Sequence, residues 1–185
     1  ADAAMAAPMQ AYMESTLPFY GLAAPLRRRL TAEAVKAHPA ADSGALVRTM
    51  RALWRGARFR EERYAAVELP RLGRVHPKLV NLDLLPLLED MIVSAAWWDL
   101  VDDISGNLLA RLLERHPAQV KPLLRAWAKG GDLWLRRAAM LCQRSLDAVF
   151  VLARAAELVV VGIGEVGPHS HLLTSGMITP GEFAE

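Results

Sequence analysis

Apolar residues recur along most of this chain at the three- and four-residue spacing of an amphipathic helix, which gathers them on one face at about 100° per residue. After residue 96, for example, Trp97, Val101, Ile104 and Leu108 fall on one such face, and we expect Trp97 to be part of the core. Glycine and proline interrupt the pattern and mark helix ends. The pattern predicts helices over residues 8–16, 25–38, 43–56, 60–74, 82–95, 97–115, 118–129, 132–146 and 147–157.

The predicted helices are arranged in pairs. Pairs recur at roughly 35–45 residues without a strict repeat of sequence, which is typical of HEAT-like units whose faces are buried only by stacking on neighbours. Pro70 and Pro86 interrupt periodic segments, and we expect them to kink or shorten their helices. The sequence therefore predicts an all-α fold over residues 1–146: a right-handed stack of HEAT-like helix pairs, or α-solenoid, in truncated form.

The segment AAWWDLVDDI at residues 95–104 concentrates aromatic rings and carboxylates. Trp98 and Asp102 form an i, i+4 pair on the stripe beside the predicted core face. Downstream, Asp132 is the predicted N-cap of a helix that carries Arg136 and Arg137. A large ring beside an acid at the rim of a helical stack indicates a functional site.

Several segments of the chain, which occur in the same order as in the family, resemble the DNA alkylation repair enzymes of the AlkD type. These enzymes are bacterial glycosylases built from HEAT-like helix pairs. The resemblance runs from about Met9 to about Arg144. It implies that the chain acts on double-stranded DNA with alkylated bases, and it places the family's functional tryptophan, aspartate and arginine at Trp98, Asp102 and Arg137. The matching segments are MQAYM at 9–13, LPFYG at 17–21, ALW at 52–54, REERYAA at 60–66, WWDLVDDI at 97–104 and DLWLRRAAML at 132–141.

The chemistry that this resemblance implies suits the three residues. Hydrolysis of an N-glycosidic bond passes through a sugar of oxocarbenium character, whose charge a carboxylate such as Asp102 would stabilise while positioning water. The ring of Trp98 would hold the cationic sugar or base by a cation–π contact, which contributes roughly 1–2 kcal/mol when it is desolvated. Arg137 would hold a backbone phosphate near the lesion. Because an alkylated purine is already cationic and leaves readily, no metal or other cofactor is expected.

Each of these residues also has an ordinary structural interpretation. Asp102 could be a solvated carboxylate or the partner of a neighbouring arginine, and Trp98 could belong to a second layer of the core. Arg137 lies in the first turns of its predicted helix, where the macrodipole slightly disfavours a cation, and this placement favours a functional role. Arg136 is the better candidate for a solvated face.

Charge divides the chain. Residues 1–146 carry 21 Lys and Arg against 15 Asp and Glu, a net charge of +6, whereas residues 147–185 carry one against five, a net charge of −4. Arginine outnumbers lysine by 17 to 4 in the basic part, which suits a track for DNA phosphates, although a GC-rich coding sequence explains the same ratio. The candidate DNA-binding residues are Arg27 and Arg28 of a basic run, Arg51 and Arg55 of a stripe at helical spacing, and Arg136.

Composition excludes several classes of protein. No apolar run approaches the ~20 residues of a transmembrane helix, and the first residues lack the features of a signal peptide. Cys142, the single cysteine, is predicted to be a buried reduced thiol, so we expect a cytoplasmic protein. His169 and His171 form an H-x-H pair with no third ligand near in sequence, and zinc is not expected.

Residues 147–185 differ in character from the rest. The run LVVVGIG at 158–164 is typical of a buried parallel strand, and it begins a G-x-G-x-x-G dinucleotide pattern. Pro168 and the few residues that remain exclude a complete βαβ unit. Because an unpaired strand invites pairing with a second copy, we expect residues 158–164 to pack irregularly on the last helices, to pair across a dimer by self-association, or to stay poorly ordered and prone to aggregation.

This tail resembles a piece of the effector domain of SorC-type sugar-binding transcriptional regulators. Such a domain is several times longer than the tail, so we expect a foreign fragment that forms no sugar pocket. The matching segments are VGIG at 161–164, SHLLTSG at 170–176 and ITPGE at 178–182.

Two functions stay open at the level of sequence. The first is a DNA glycosylase acting on alkylated purines. The second is a non-catalytic helical-repeat module that binds DNA, or a truncated remnant, because no residue after 144 matches the later helix pairs that supply a further active-site tryptophan in the family. A sugar-responsive regulator is disfavoured, because no helix-turn-helix accompanies the effector fragment.

Overall fold

The structure, a computed structural model, describes residues 1–72 and 75–143. The predicted helix 147–157, the strand at 158–164 and the domain boundary at 146 lie outside these residues. A π-helical segment covers Ile104–Leu109, and 3-10 turns occupy Leu69–Arg71, Pro77–Leu79 and Leu82–Leu84. The α-helices are α1 (Ala3–Tyr12), α2 (Ala24–Ala37), α3 (Ser43–Arg55), α4 (Arg60–Glu68), α5 (Leu85–Ala95), α6 (Trp98–Asp103), α7 (Ala110–Arg115), α8 (Pro117–Lys129) and α9 (Leu133–Leu141).

The described helices belong to one compact unit in which they stack as pairs. Helix α2 packs on α4, α4 on α6, and α6 on α9, so these four form one row. Helices α3, α5 and α8 pack on α4, α6 and α9 to form the other row. This arrangement confirms the prediction of an all-α helical-repeat fold for the described part of the chain.

Helix ends follow capping and proline chemistry. Helix α1 begins before the predicted residue 8, because the Asp2 carboxylate caps it by accepting the N–H of Ala4 at 3.0 Å. The predicted helix 60–74 ends at Glu68 and gives way to a 3-10 turn that contains Pro70. Pro86 lies in the first turn of α5, where its missing N–H leaves no helical bond unmade. Both prolines therefore shorten their helices, as predicted.

The core lies between the two rows, and its apolar residues are those that the helical spacing brings to one face. Full burial of a leucine or isoleucine contributes about 1.5–3 kcal/mol, so this cluster is the main source of stability. Its largest fully buried side chains are Trp54, Leu46, Met50, Leu84, Leu87, Leu88, Met91, Ile92, Leu100, Ile104, Leu108 and Leu109.

The expectation that Trp97 starts the apolar stripe is wrong. Helix α5 ends at Ala96 in the left-handed conformation, with φ at 44°, and the chain changes direction there. Trp97 is the extended N-cap of α6, with φ at −152° and ψ at 139°, so it precedes the helix and is only partly buried. The buried stripe begins at Val101. None of the helices in the described part is both long and apolar enough to cross a membrane.

Candidate functional site

Charged and aromatic side chains gather at the first turns of the row α2, α4, α6 and α9. Arg27 lies at the start of α2, Arg60 begins α4, and Trp98 begins α6. Asp132 caps α9, accepting the N–H of Trp134 and of Leu135 at 2.9 Å, as predicted from sequence. Because these four helices neighbour one another, residues distant in sequence meet along one side of the stack.

Asp102 and Arg137 are joined by a bidentate ion pair between α6 and α9. Arg137 donates from Nε to Oδ1 at 2.6 Å and from Nη2 to Oδ2 at 2.7 Å. The two side chains are 34% and 40% exposed, so the pair lies at the surface. The hydrogen bond to Asp102 raises the pKa of Arg137 above its usual value. The structure thus bears out one alternative that the sequence left open, in which Asp102 is the partner of an arginine. That arginine is Arg137.

Trp98 is 42% exposed and therefore lies outside the core. Its ring lines a cleft of about 360 Å³, together with the rings of Tyr12 and Tyr64. Tyr12, at the end of α1, is 74% exposed. Tyr12 was not predicted as a site residue, although the MQAYM segment that contains it is one of the segments that resemble the family. Among the described residues, Asp99 and Asp103 also line this cleft, whereas Asp102 and Arg137 do not.

Asp99 is held in a buried network beneath Trp98. Its Oδ1 accepts from Arg60 at 2.6 Å, and its Oδ2 accepts from the Tyr64 hydroxyl at 2.5 Å. The side chains of Asp99 and Arg60 are 7% and 6% exposed. Burial raises the pKa of Tyr64, and its bond to Asp99 raises that pKa further. Asp99 therefore fixes the start of α6, and it lines the cleft as a carboxylate already bonded to Arg60 and Tyr64.

Asp103 pairs with Arg71, the two closest atoms lying 2.7 Å apart, and it also accepts from Asn107 at 2.6 Å. The acids at 99, 102 and 103 thus each meet an arginine from a different element: α4, α9 and the turn after α4. This pairing offsets the mutual repulsion of three carboxylates in five residues.

The basic run of α2 meets Glu68. Arg27 donates to both carboxylate oxygens of Glu68, at 2.7 and 3.2 Å, and its guanidinium lies 4.5 Å from the centroid of the Tyr64 ring. The side chain of Arg27 is 12% exposed. Arg28 donates to the same carboxylate at 3.1 Å but is 59% exposed. Of these two candidate DNA-binding residues, Arg28 presents far more surface.

The other candidate DNA-binding residues are placed differently. Arg51 is exposed and makes no hydrogen bond or ion pair with any residue that the structure describes. Arg55 forms an ion pair with Asp90 and is 60% exposed. Arg136 donates to the carbonyl oxygens of Gly130 and Gly131, at 2.9 and 3.1 Å. Arg51 is thus an unpaired surface cation, whereas Arg136 stabilises the turn between α8 and α9.

Glu61 holds the loop between α1 and α2. Its carboxylate accepts the backbone N–H groups of Tyr20, Gly21 and Leu22 at 3.0, 3.0 and 3.1 Å. Glu61 is 3% exposed, and Gly21 has φ at 78°, a conformation that favours glycine. Since the carbonyl of Tyr20 also accepts the N–H of Asp2 at 2.7 Å, this loop ties the start of α1 to α4. Sequence reasoning missed Glu61, because nothing local marks it as a loop clamp.

The site holds no cluster suited to a metal ion: among residues 1–72 and 75–143, no three His, Cys, Asp or Glu side chains are arranged to bind one. The structure shows a surface carboxylate, Asp102, paired with Arg137, and two exposed aromatic rings, Tyr12 and Trp98.

Two comparisons with known proteins bear on this site. The family model described as "DNA alkylation repair enzyme" matches residues 1–159. A curated relative, the erythritol catabolism regulatory protein EryD of Brucella abortus (strain 2308), is 47% identical over 49 residues, which are 26% of this chain and 16% of that protein. The chain therefore spans only a small share of this relative, whereas the family match includes every residue of the site.

Proposed function

This chain belongs to the DNA alkylation repair enzyme family, and from that premise we propose that it hydrolyses the N-glycosidic bond of alkylated, cationic purines in duplex DNA. The observation that carries this proposal is the pairing of Asp102 with Arg137, where Asp102 lies one helical turn after the exposed Trp98 on α6. A fixed, half-exposed carboxylate next to an aromatic face is an arrangement that can receive a developing cation.

Arg137 can donate hydrogen bonds to Asp102 and to DNA at the same time. A guanidinium has five N–H donors, and Arg137 uses Nε and one N–H of Nη2 on Asp102. Its Nη1 makes no hydrogen bond with any described residue. We infer that Nη1 donates to a backbone phosphate, while the other edge of the guanidinium keeps the carboxylate in place.

The reaction then needs little from the protein. The C1′–N bond breaks and its electron pair stays on the purine, which neutralises the positive charge of the alkylated ring. Asp102 stabilises the positive sugar and accepts a proton from the water that adds to C1′. Trp98 contacts the sugar through its ring face. Electrostatic stabilisation of the kind that Asp102 would provide is a large term in catalysis.

The exposed surface cations favour DNA as the partner. Arg51 lacks a partner among the described residues, and Arg28 keeps more than half of its side chain exposed. Such cations bind phosphates without sequence preference, and the affinity falls with salt. Self-association through residues 158–164 stays a prediction from sequence.

The test is release of alkylated base. We expect single-turnover incubation with methylated duplex DNA to release methylated purines and to leave abasic sites, detected by chromatography and by alkaline cleavage. Duplex binding without any release would favour the second candidate, a non-catalytic DNA-binding module. Absence of both release and duplex binding would overturn the proposal.

A further inference from the structure

Arg63, in the middle of α4, lies outside the site described above. Its guanidinium carbon is 4.9 Å from the centroid of the Trp54 ring. Trp54 is 1% exposed, and its Nε1 donates to the Ser94 hydroxyl at 2.9 Å, which in turn donates to the carbonyl of Asp90 at 2.6 Å. A fixed aromatic face therefore holds the Arg63 side chain in one place.

Within the described residues, Arg63 lacks the acidic partner that neighbouring arginines have. Arg60 pairs with Asp99, and Arg55 pairs with Asp90. Arg63 makes no ion pair or hydrogen bond with any residue in the described part of the chain, and its Nε is buried without a partner. The residue as a whole is only partly buried, so the terminal nitrogens remain open to solvent.

The electrostatic surroundings of Arg63 are unfavourable to a cation. Burial lowers the pKa of Arg63, and the nearby charges of Arg60 and Arg55 lower it further. Partial desolvation of a charge without a counter-ion is costly, and an anion at this position would relieve the cost. A side chain kept in such surroundings by its packing is placed to meet a negative ligand.

We propose that Arg63 binds a phosphate of the DNA backbone, at a position separate from the Asp102–Arg137 pair. The inference rests on the proposed function for its ligand, because it takes DNA as the partner. The planar guanidinium donates bidentately to phosphate, and the Trp54 ring pre-organises its plane.

An extended polyanion suits this surface better than a small anion. Arg51 and Arg55 follow one another on α3 at four-residue spacing, which is about 6 Å along the helix, and both are exposed. Successive phosphates of one strand advance by ~3.4 Å along the duplex axis, so two cations about 6 Å apart span roughly two phosphate steps of one strand. Arg63 would be anchored by the Trp54 ring, whereas Arg51 and Arg55 are exposed on α3 and Arg55 also pairs with Asp90.

Arg63→Met is the direct test, because methionine keeps an apolar stem over Trp54 and removes the charge. We expect affinity for unmodified duplex DNA at low salt to fall about tenfold, and the slope of log affinity against log salt to fall by ~0.9. Thermal stability should hold or rise, because an unpaired, partly buried cation is removed. The control is Arg29→Met, since Arg29 is 69% exposed and only 3.9 Å from Glu33; its affinity should be unchanged.

Arg63→Lys is the second variant, for the case in which methionine prevents folding. It keeps the charge and loses the bidentate fork, so we expect a near-normal salt slope with reduced affinity. Wild-type affinity and slope in folded Arg63→Met, or wild-type affinity in Arg63→Lys, would overturn the proposal. A third result would also overturn it: inorganic phosphate stabilises the wild type but not Arg63→Met, while the two proteins bind DNA with the same affinity.

These measurements separate the two proposals. They use unmodified DNA, so they do not depend on base release. If the wild type releases no base but Arg63→Met weakens binding, the glycosylase proposal fails and the phosphate site stands. If the wild type releases base and Arg63→Met binds normally, the phosphate site fails alone.

Discussion

Replacement of Asp102 by asparagine tests the proposed chemistry most directly. Asparagine keeps the shape of the side chain and can still accept one hydrogen bond from Arg137, but it cannot neutralise a positive sugar. Loss of a pre-organised electrostatic group typically costs about 3–4 kcal/mol at the transition state, or 10²–10³ in rate. We therefore expect base release to fall by two to three orders of magnitude, while duplex affinity stays near that of the wild type.

The structure sets the expected effect on stability. Asp102 and Arg137 are 34% and 40% exposed, and an exposed ion pair contributes only ~0–1 kcal/mol to the free energy of unfolding. Asp102→Asn should therefore remain folded, with little change in its denaturant midpoint. A loss of release in this variant would be a loss of chemistry.

Asp99→Asn is the comparison that the structure makes informative. Asp99 and Arg60 are 7% and 6% exposed, and removal of one partner of a buried ion pair typically costs ~3–5 kcal/mol because the other charge is left unpaired. We expect this variant to lose stability first and activity only as a consequence. Rates must therefore be expressed per folded molecule, from denaturant unfolding of the same preparations.

The decisive result is which of the two variants loses more of its base-release rate per folded molecule. If folded Asp99→Asn loses release as severely as predicted for Asp102→Asn, and Asp102→Asn keeps the wild-type rate, the assignment of Asp102 is refuted.

Three further predictions concern residues around the site. Ala96→Gly should raise the free energy of unfolding by ~1 kcal/mol in urea, because Ala96 has φ at 44°; no change would mean that the position is unstrained. Glu61→Ala should cost ~2–4 kcal/mol by the same measurement, because three backbone N–H groups lose their acceptor. Burial raises the pKa of the Cys142 thiol to about 11 from 9.0, so its alkylation at pH 8 should be ~100-fold slower in the folded chain than in urea. Because folding keeps the Cys142 thiol neutral up to a higher pH than in the unfolded chain, the contribution of this thiol to the free energy of unfolding is complete below pH 9 and is lost as the pH rises towards 11. Fast alkylation of the native chain would contradict the raised pKa and this pH dependence.

The repeating helices could be predicted from sequence, because helical spacing, capping and proline act within a few residues. Predicted starts at residues 25, 43 and 60 lie within about one residue of the observed ones, as far as such boundaries are defined. The failure at Trp97 came from Ala96, whose left-handed conformation breaks the helix without the glycine that usually marks such a position.

The resemblance brought Trp98, Asp102 and Arg137 together as candidates, but only the tertiary structure decided what each side chain contacts. Arg137 lies 35 residues from Asp102, Arg60 lies 39 from Asp99, and Arg71 lies 32 from Asp103. These separations are set by how one helix pair stacks on the next, and no local pattern encodes which arginine meets which acid. Local periodicity therefore determined the helices and their buried faces, whereas the stacking of distant helices decided the ion pairs and left Arg63 without one among the residues that the structure describes.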